Sequence, residues 1–228
     1  NTTIAGIEQA DLCLLIGTNP RWEAPLVNAR LRKRFLRGGF AVGVIGPQVD
    51  LTYPAEYLGA GPQTLADVAA CSHPFAARLA AAKSPMLVVG QGALVARRDG
   101  AAVLALARQI ASERGLVRDG WNGFNVLHHA AARVGGLDLG FVPGPGGRSV
   151  AAILEGCGTG AIEAVYLLGA DEIAMERLGN AFVIYQGHHG DKGAHRADVV
   201  LPGAAYTEKN ATYVNTEGRV QRARLAVF

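Results

Sequence analysis

The sequence is poor in cysteine: it has three in 228 residues, and Cys13, Cys71 and Cys157 stand too far apart to form any C-x-x-C pair. Iron–sulfur clusters usually draw four thiolates, several of them closely spaced, so this segment cannot furnish a whole cluster. An odd number with no pairing pattern fits a reducing compartment better than a disulfide framework. No apolar run approaches the roughly 18 residues that cross a bilayer, so membrane association would come through partners and not by direct insertion. The chain opens Asn1-Thr2-Thr3-Ile4, without an initiating Met, a basic n-region or an apolar h-region. That reads as a piece of a longer protein rather than a secretory start. The glycosylation-like triplets at Asn1 and Asn210 carry little meaning without secretion. There is no G-x-S-x-G, no H-E-x-x-H and no Walker A sequence, so nothing marks a hydrolase or a P-loop NTPase.

Charge of one sign is also scarce. The formal net charge is +3, too mild to argue for nucleic acid. The one concentrated basic stretch is Arg30, Arg32, Lys33, Arg34 and Arg37. It lacks an interleaved aromatic platform and reads as a solvated helix face or a contact with a partner subunit.

What the sequence does have is a short apolar run closed by Gly, used several times. The runs are Leu12–Ile16 before Gly17, Ala41–Ile45 before Gly46, Met86–Val89 before Gly90, Ala164–Leu168 before Gly169, and Phe182–Gln186 before Gly187. Unbroken apolar runs of this length suit strands buried on both faces, the habit of parallel sheets. Val199-Val200-Leu201 adds a further short strand before Pro202. Helical spacing fills most gaps. Ala24, Val27, Leu31 and Phe35 form one stripe; Asp99 is placed to cap a helix carrying Val103, Leu106 and Ile110. Asn122 is placed to cap another through Phe124, Leu127, Ala131 and Val134, and Ser149 a shorter one through Ile153 and Leu154. Strands alternating with helices imply βαβ units and a doubly wound parallel α/β sheet. The region 135–149, with Pro143-Gly144-Pro145-Gly146-Gly147, is the place for a break between two α/β halves. The polar segment Tyr206–Gln221 reads as an irregular excursion.

Two Gly-rich stretches invite a nucleotide reading. Gly90-Gln91-Gly92-Ala93-Leu94-Val95 follows a strand, but Val95 stands where a dinucleotide fingerprint has its third Gly. Gly156-Cys157-Gly158-Thr159-Gly160 precedes a strand, so its amides would point away from a phosphate at a helix N-terminus. Turn chemistry accounts for both. His188, His189 and Asp191, with His195 nearby, suggest metal ligands, but adjacent histidines in extended chain are expected to diverge. A loop whose imidazoles bond backbone groups is the simpler reading. His128 and His129 are expected on opposite sides of a helix.

Three stretches together carry a resemblance. Ala10-Asp11-Leu12-Cys13-Leu14-Leu15-Ile16-Gly17-Thr18-Asn19-Pro20 resembles the strand-to-loop signature of molybdopterin oxidoreductases. The tail from Leu201-Pro202-Gly203 through Asn215-Thr216-Glu217-Gly218-Arg219-Val220-Gln221 resembles that family's late segment. Asn28–Lys33, Val49–Tyr53 and Tyr185–Asp191 are similar to the large iron–sulfur subunit of respiratory complex I (NADH:quinone oxidoreductase) in particular.

The resemblance implies a scaffold segment of a subunit that passes electrons from NADH toward quinone, coupled to proton translocation. It implies [4Fe–4S] and [2Fe–2S] clusters in an upstream region, other peripheral-arm subunits as partners, and a place on the cytoplasmic face of the bacterial inner membrane, or the matrix side in a eukaryote. Cofactor-binding relatives end the second strand in a carboxylate that holds the guanosine of the pterin dinucleotide. Here Ile45 is followed by Gly46-Pro47, with no carboxylate until Asp50, and the family's Gly-Glu-Asn-Pro stands as Gly169-Ala170-Asp171-Glu172. No catalytic, cofactor-binding or metal residue is therefore assigned. The alternative is the pterin-dinucleotide-binding part of a molybdenum or tungsten oxidoreductase such as a formate dehydrogenase; a free-standing nucleotide-binding module is a third.

Overall fold

The computed structural model describes residues 2–95 and 97–227; Asn1 of the first glycosylation-like triplet lies outside them. The chain divides into two compact units, residues 1–134 with 214–219, and residues 135–213 with 220–228.

The first unit is a parallel sheet covered on both faces. Strand β1 (Leu12–Ile16) lies at its centre. It is followed by the short helix α1 (Pro20–Glu23), helix α2 (Pro25–Phe35), strands β2 (Ala41–Ile45) and β3 (Glu56–Gly59), and helices α3 (Pro62–Ala69) and α4 (Pro74–Ala81). Strand β4 (Pro85–Val89) and helix α5 (Gly100–Glu113) come next. A small antiparallel bridge of β5 (Val117–Arg118) with β6 (Trp121–Asn122) leads to strand β7 (Phe124–Val126). The strand order is β3-β2-β1-β4-β7, with every pair parallel.

All five residues of β1 are buried, as are all five of β4. Alternation splits them between two cores. Leu12, Leu14 and Ile16 pack with Leu65, Phe75, Leu79, Val103 and Ile110 of α3, α4 and α5. Cys13 and Leu15 pack with Val27 and Leu31 of α2 and with Val42 and Val44. Each fully buried Leu or Phe contributes about 1.5–3 kcal/mol relative to leaving it in water. Asp11 fixes the entry to β1: its carboxylate accepts from the amides of Lys83 (2.6 Å) and Ser84 (2.9 Å), just before β4.

The second unit holds α7 (Val150–Gly158), β8 (Ala164–Leu168), β9 (Phe182–Gly187), α8 (Lys192–Arg196) and β10 (Val199–Pro202); helix α6 (Arg133–Asp138) contains the boundary. The sheet order is β10-β9-β8, both pairs parallel. The Ser149 hydroxyl caps α7, accepting from the Ala152 amide at 3.3 Å. Strands β11 (Ala211–Val214) and β12 (Val220–Ala223) form a two-stranded sheet.

The five Gly-terminated runs are all strands with parallel partners, but they belong to two sheets rather than one. The helix expected from Asn122 is not there. Phe124–Val126 is a strand, because Gly123 lets it lie against β4: a Cβ on Gly123 would come within 2.1 Å of the Pro85 carbonyl oxygen. His128 and His129 accordingly lie outside any helix. Asp99 stands at the N-cap of α5 without capping it, since both carboxylate oxygens are taken by Arg97 (2.8 and 2.7 Å). Gly156-Cys157-Gly158 is the last turn of α7, not a loop, and the excursion over Tyr206–Gln221 contains β11 and the start of β12.

Candidate functional site

In an open parallel sheet, ligands sit outside the carboxyl ends of the strands where strand order reverses. Here the chain moves from β1 outward to β2 and β3, then returns to place β4 on the other side of β1. The reversal point is flanked by Gly17-Thr18-Asn19 after β1 and Gly90-Gln91-Gly92 after β4. A cavity of about 210 Å³ opens at these strand ends, lined by Gly17, Gly46, Pro47, Gly61, Gly92 and Arg97 among others. That is below the roughly 300–1,000 Å³ typical of small-molecule sites.

The loops around the cavity use their own donors. The Gly17 amide donates to Ile45 O (2.8 Å), Gly90 to Ile16 O (2.9 Å), Gly46 to Gly59 O (2.9 Å) and Ala93 to Gly90 O (3.1 Å). Backbones also crowd together. A Cβ on Gly17 would meet the Ala93 Cβ at 2.5 Å, and one on Gly90 would meet Gly17 O at 2.4 Å. Thr18 is buried and its hydroxyl has no partner among the described residues, yet it packs against Gly90 and does not line the cavity.

Among the described residues Arg97 is the only charged one lining the cavity, and it is committed to Asp99, whose carboxyl it holds below the usual range. The nearest carboxylate after β2 is Asp50. It lies in an exposed turn, accepting from the Thr52 amide (2.9 Å) and paired with Arg21 (2.5 Å), and its carboxyl is held low chiefly by that amide. Beside the β4 end, Gln91 Nε2 donates to Leu127 O (3.0 Å) and lies 3.4 Å from His128 Nδ1; His129 Nε2 lies 3.2 Å from a Glu23 oxygen. Burial, ahead of Arg133 and His129, lowers the His128 pKa. A pterin dinucleotide needs a carboxylate at the second strand and free amides for its phosphates. The carboxylate is missing and four of the amides are spent, so the residues present do not fit that group.

The basic stretch is largely occupied. Glu8, in the 3₁₀ turn Gly6–Gln9, pairs with Arg30, Lys33 (2.8 Å) and Arg37 (2.5 Å). The bonds from Lys33 and Arg30 bring its pKa down to about 2. Arg34 donates to the carbonyls of Ala10 (2.6 Å), Gly38 (2.7 Å) and Gly39 (3.2 Å), and its guanidinium lies over Phe40 at 5.1 Å. It closes the end of α2 rather than standing ready for a partner.

The histidines behave differently from the sequence expectation. His188 and His189 do not diverge: their rings meet edge to face with centroids 4.4 Å apart, and neither bonds backbone among the described residues. Asp191 precedes α8 without a side-chain cap. With Asp171, Glu172, Lys192 and His195 it lines an open concavity in which Asp171 accepts from the Gly193 amide (3.2 Å). Among the described residues no group of three or more His, Cys, Asp or Glu is placed to hold a metal ion. Cys13 and Cys157 are buried and Cys71 is exposed; burial pushes the Cys13 thiol far up. What sequence reading missed was the use of the glycine amides between strand ends, which has no signature in residue type.

The family model for molybdopterin oxidoreductases matches residues 1–228. The 75 kDa subunit of NADH-ubiquinone oxidoreductase from Reclinomonas americana is 47% identical over the whole chain, and an NADH-quinone oxidoreductase subunit from Rickettsia bellii is 48% identical. The chain spans about one third (32%) of the length of each. Among solved structures, the formyltransferase/hydrolase complex from Methylorubrum extorquens, crystallised with methylofuran, contains a chain that superposes with a TM-score of 0.66. The overlap covers 98% of this chain and 71% of that one at 18% identity, a likeness of fold.

Proposed function

The chain belongs to the molybdopterin oxidoreductase family, and from that premise we propose that it is a scaffold segment of the large peripheral-arm subunit of NADH:quinone oxidoreductase. The observation that carries this is the 47–48% identity, running through all 228 residues, to subunits named for that enzyme. In this reading the segment supports a cluster-bearing region elsewhere in the subunit and packs against other subunits of the arm. The whole complex moves electrons from NADH to quinone and translocates protons; the segment supplies no redox centre. The strand-end cavity supports this part, because the amides of Gly17, Gly46, Gly90 and Ala93 are bonded to carbonyls and Arg97 is paired with Asp99. No helix of the described residues is long and apolar enough to cross a membrane. In the proposed reading the subunit is held by its partners at the cytoplasmic face of the bacterial inner membrane.

The alternative keeps the fold and restores the cofactor, making this part of a molybdenum or tungsten oxidoreductase. The two readings separate on the full-length subunit, purified and analysed for metals by mass spectrometry and for pterin by fluorescence of an acid extract. Iron without molybdenum, tungsten or pterin is the expected result. Stoichiometric pterin with either metal would overturn it.

A further inference from the structure

Two adjacent imidazoles follow β7 and reach two different strand-end loops. His128 Nδ1 lies 3.4 Å from Gln91 Nε2 in the loop after β4, and the same nitrogen of Gln91 donates to Leu127 O at 3.0 Å. His129 Nε2 lies 3.2 Å from Glu23 Oε2 on α1. The other oxygen of Glu23 accepts from the Asn19 amide (2.6 Å), in the loop after β1. The Leu127 amide donates to Val89 O (2.9 Å), so Leu127 is joined to the end of β4 through both its amide and its carbonyl.

The two imidazole contacts call for opposite protonation states. The Leu127 carbonyl fixes which way the Gln91 carboxamide faces, and its nitrogen only donates, so it is matched by a neutral His128 whose Nδ1 accepts. A carboxylate only accepts, and a charged His129 turns its contact with Glu23 into an ion pair. A proton on His128 Nδ1 would set donor against donor. Turning the carboxamide about does not repair this, because its oxygen would then face the carbonyl oxygen of Leu127. In either arrangement Gln91 loses a bond. The surroundings favour the neutral ring: burial first, then the charges of Arg133 and His129, lower the His128 pKa from 6.5. Glu23 completes the charged groups around the pair.

We propose that Gln91 and His128 form a proton-released clasp between the loop after β4 and the segment after β7, closed while His128 is neutral and opened when solvent protonates its Nδ1. His129 and Glu23 hold the β1 side separately, so acid loosens one seam of the strand ends and spares the other. A depressed folded pKa means that the closed state binds the proton more weakly than the open one. The clasp's contribution is therefore fully present above about pH 6.5 and is lost as pH falls below it. The device is distinct from the strand-end cavity, which none of Gln91, His128 and His129 lines, and does not depend on the scaffold reading.

The test uses the full-length subunit in its assembled complex. Hydrogen exchange at the imidazole C2 position, read by tandem mass spectrometry that separates His128 from His129, should place the His128 midpoint below 6.5. The amides of Leu94 and Val95 bond Gln91 O, and that of Leu127 bonds Val89 O. Their exchange, corrected for its intrinsic pH dependence, should accelerate several-fold from about pH 7 to about pH 5, the range in which histidine takes its charge. His128→Asn keeps an acceptor beside Gln91 and takes no proton, so it should show no acceleration. Gln91→Glu sets a carboxylate against the ring and should move the His128 midpoint upward, a reading that stands even if His128→Asn fails to assemble. A wild-type midpoint at or above 6.5, equal acceleration in His128→Asn, or a midpoint unmoved by Gln91→Glu would overturn the proposal.

Discussion

Gly90 rests directly against Gly17. Its amide bonds the carbonyl just before Gly17, and any Cβ on it would lie 2.4 Å from the Gly17 carbonyl oxygen and 2.7 Å from the Thr18 Cβ. The obstacle is largely backbone at the centre of a buried sheet, so it cannot swing aside. Gly90 itself has φ −86°, a conformation open to any residue, and the constraint is therefore purely one of space. Gly90→Ala should destabilise the fold by about 1–3 kcal/mol, the usual cost of overpacking. Gly61→Ala, where the nearest atom stands 4.0 Å away, should cost nothing measurable. Urea unfolding of both variants checks the contrast, and equal behaviour would show that the strand ends are not tightly joined.

Asn28 is a buried polar residue of α2 whose groups are matched: Nδ2 donates to Leu51 O (3.0 Å), and Oδ1 accepts from the Tyr53 hydroxyl (3.0 Å). The pair pins the loop after β2. Tyr53→Phe leaves a buried acceptor alone and should cost about 1–3 kcal/mol. The double variant Asn28→Leu with Tyr53→Phe should be less damaging than the sum of the two single changes, since it also removes the stranded acceptor. Additive losses in a thermal unfolding cycle would refute the coupling.

Glu8 gathers three cations, and its folded pKa of about 2 lies below the ordinary 4.5. A depressed carboxyl contributes stability that is fully present above its unfolded pKa and fades as pH falls toward the folded one. The difference between wild type and Glu8→Gln should therefore be constant above about pH 5, shrink between 4.5 and 2, and weaken in high salt. Denaturant titrations across that range read it directly. A difference that persists below about pH 2 would mean that Glu8 acts through something other than its charge.

Much of this architecture is written in the chain. Each apolar run ending in Gly became a strand: those of β1, β2 and β4 are buried between two layers of helices, while those of β8 and β9 bury one face and leave Tyr166, Leu168 and Phe182 exposed on the other; Gly17 (φ +54°) and Gly169 (φ +58°) supply the turn. The strands that escaped notice are short and poorly patterned. Glu56–Gly59 has two exposed residues, and Phe124–Val126 joins the sheet only because Gly123 allows close approach to Pro85. The spacing of Phe124, Leu127, Ala131 and Val134 imitated a helix because three-residue steps also arise by chance in a strand followed by a turn. The division of five runs between two sheets depends on pairing across long sequence separations, which local pattern does not encode. At the strand-end cavity, residue identity signalled the missing carboxylate, whereas the spent glycine amides and the commitment of Arg97 to Asp99 are visible only in three dimensions.

His188 and His189 offer the one paired-imidazole surface among the described residues, with centroids 4.4 Å apart. Two histidines stacked edge to face, without a third ligand placed to join them, should bind zinc or nickel weakly. A folded-state site would raise the melting temperature by mass action as metal is added. Excess zinc should leave the melting temperature of the full-length subunit unchanged to the same degree in wild type and in a His188→Ala, His189→Ala variant. A chelator-reversible rise seen in wild type alone would assign a metal site here.

The sharpest test of the scaffold reading is to put back the acid that cofactor-binding relatives carry. Gly46 occupies that strand end with φ +134°, a conformation that glycine adopts and L side chains rarely do. A Cβ there would also sit 3.2 Å from Gly17 Cα, so the backbone of β1 stands where the new side chain must leave. Gly46→Asp should cost about 1–3 kcal/mol through the forced dihedral. It should also create no nucleotide site. A guanine nucleotide would still face amides of Gly17, Gly46, Gly90 and Ala93 already bonded to carbonyls, and a cavity of about 210 Å³. Thermal unfolding and equilibrium dialysis against GDP, run on wild type and variant, measure the two consequences separately. Loss of stability without binding is the expected pair. Micromolar GDP binding gained by the variant would mean that the rest of the cradle is intact and that a single missing carboxylate, rather than the joining of β1, β2 and β4 at their ends, keeps the cofactor out.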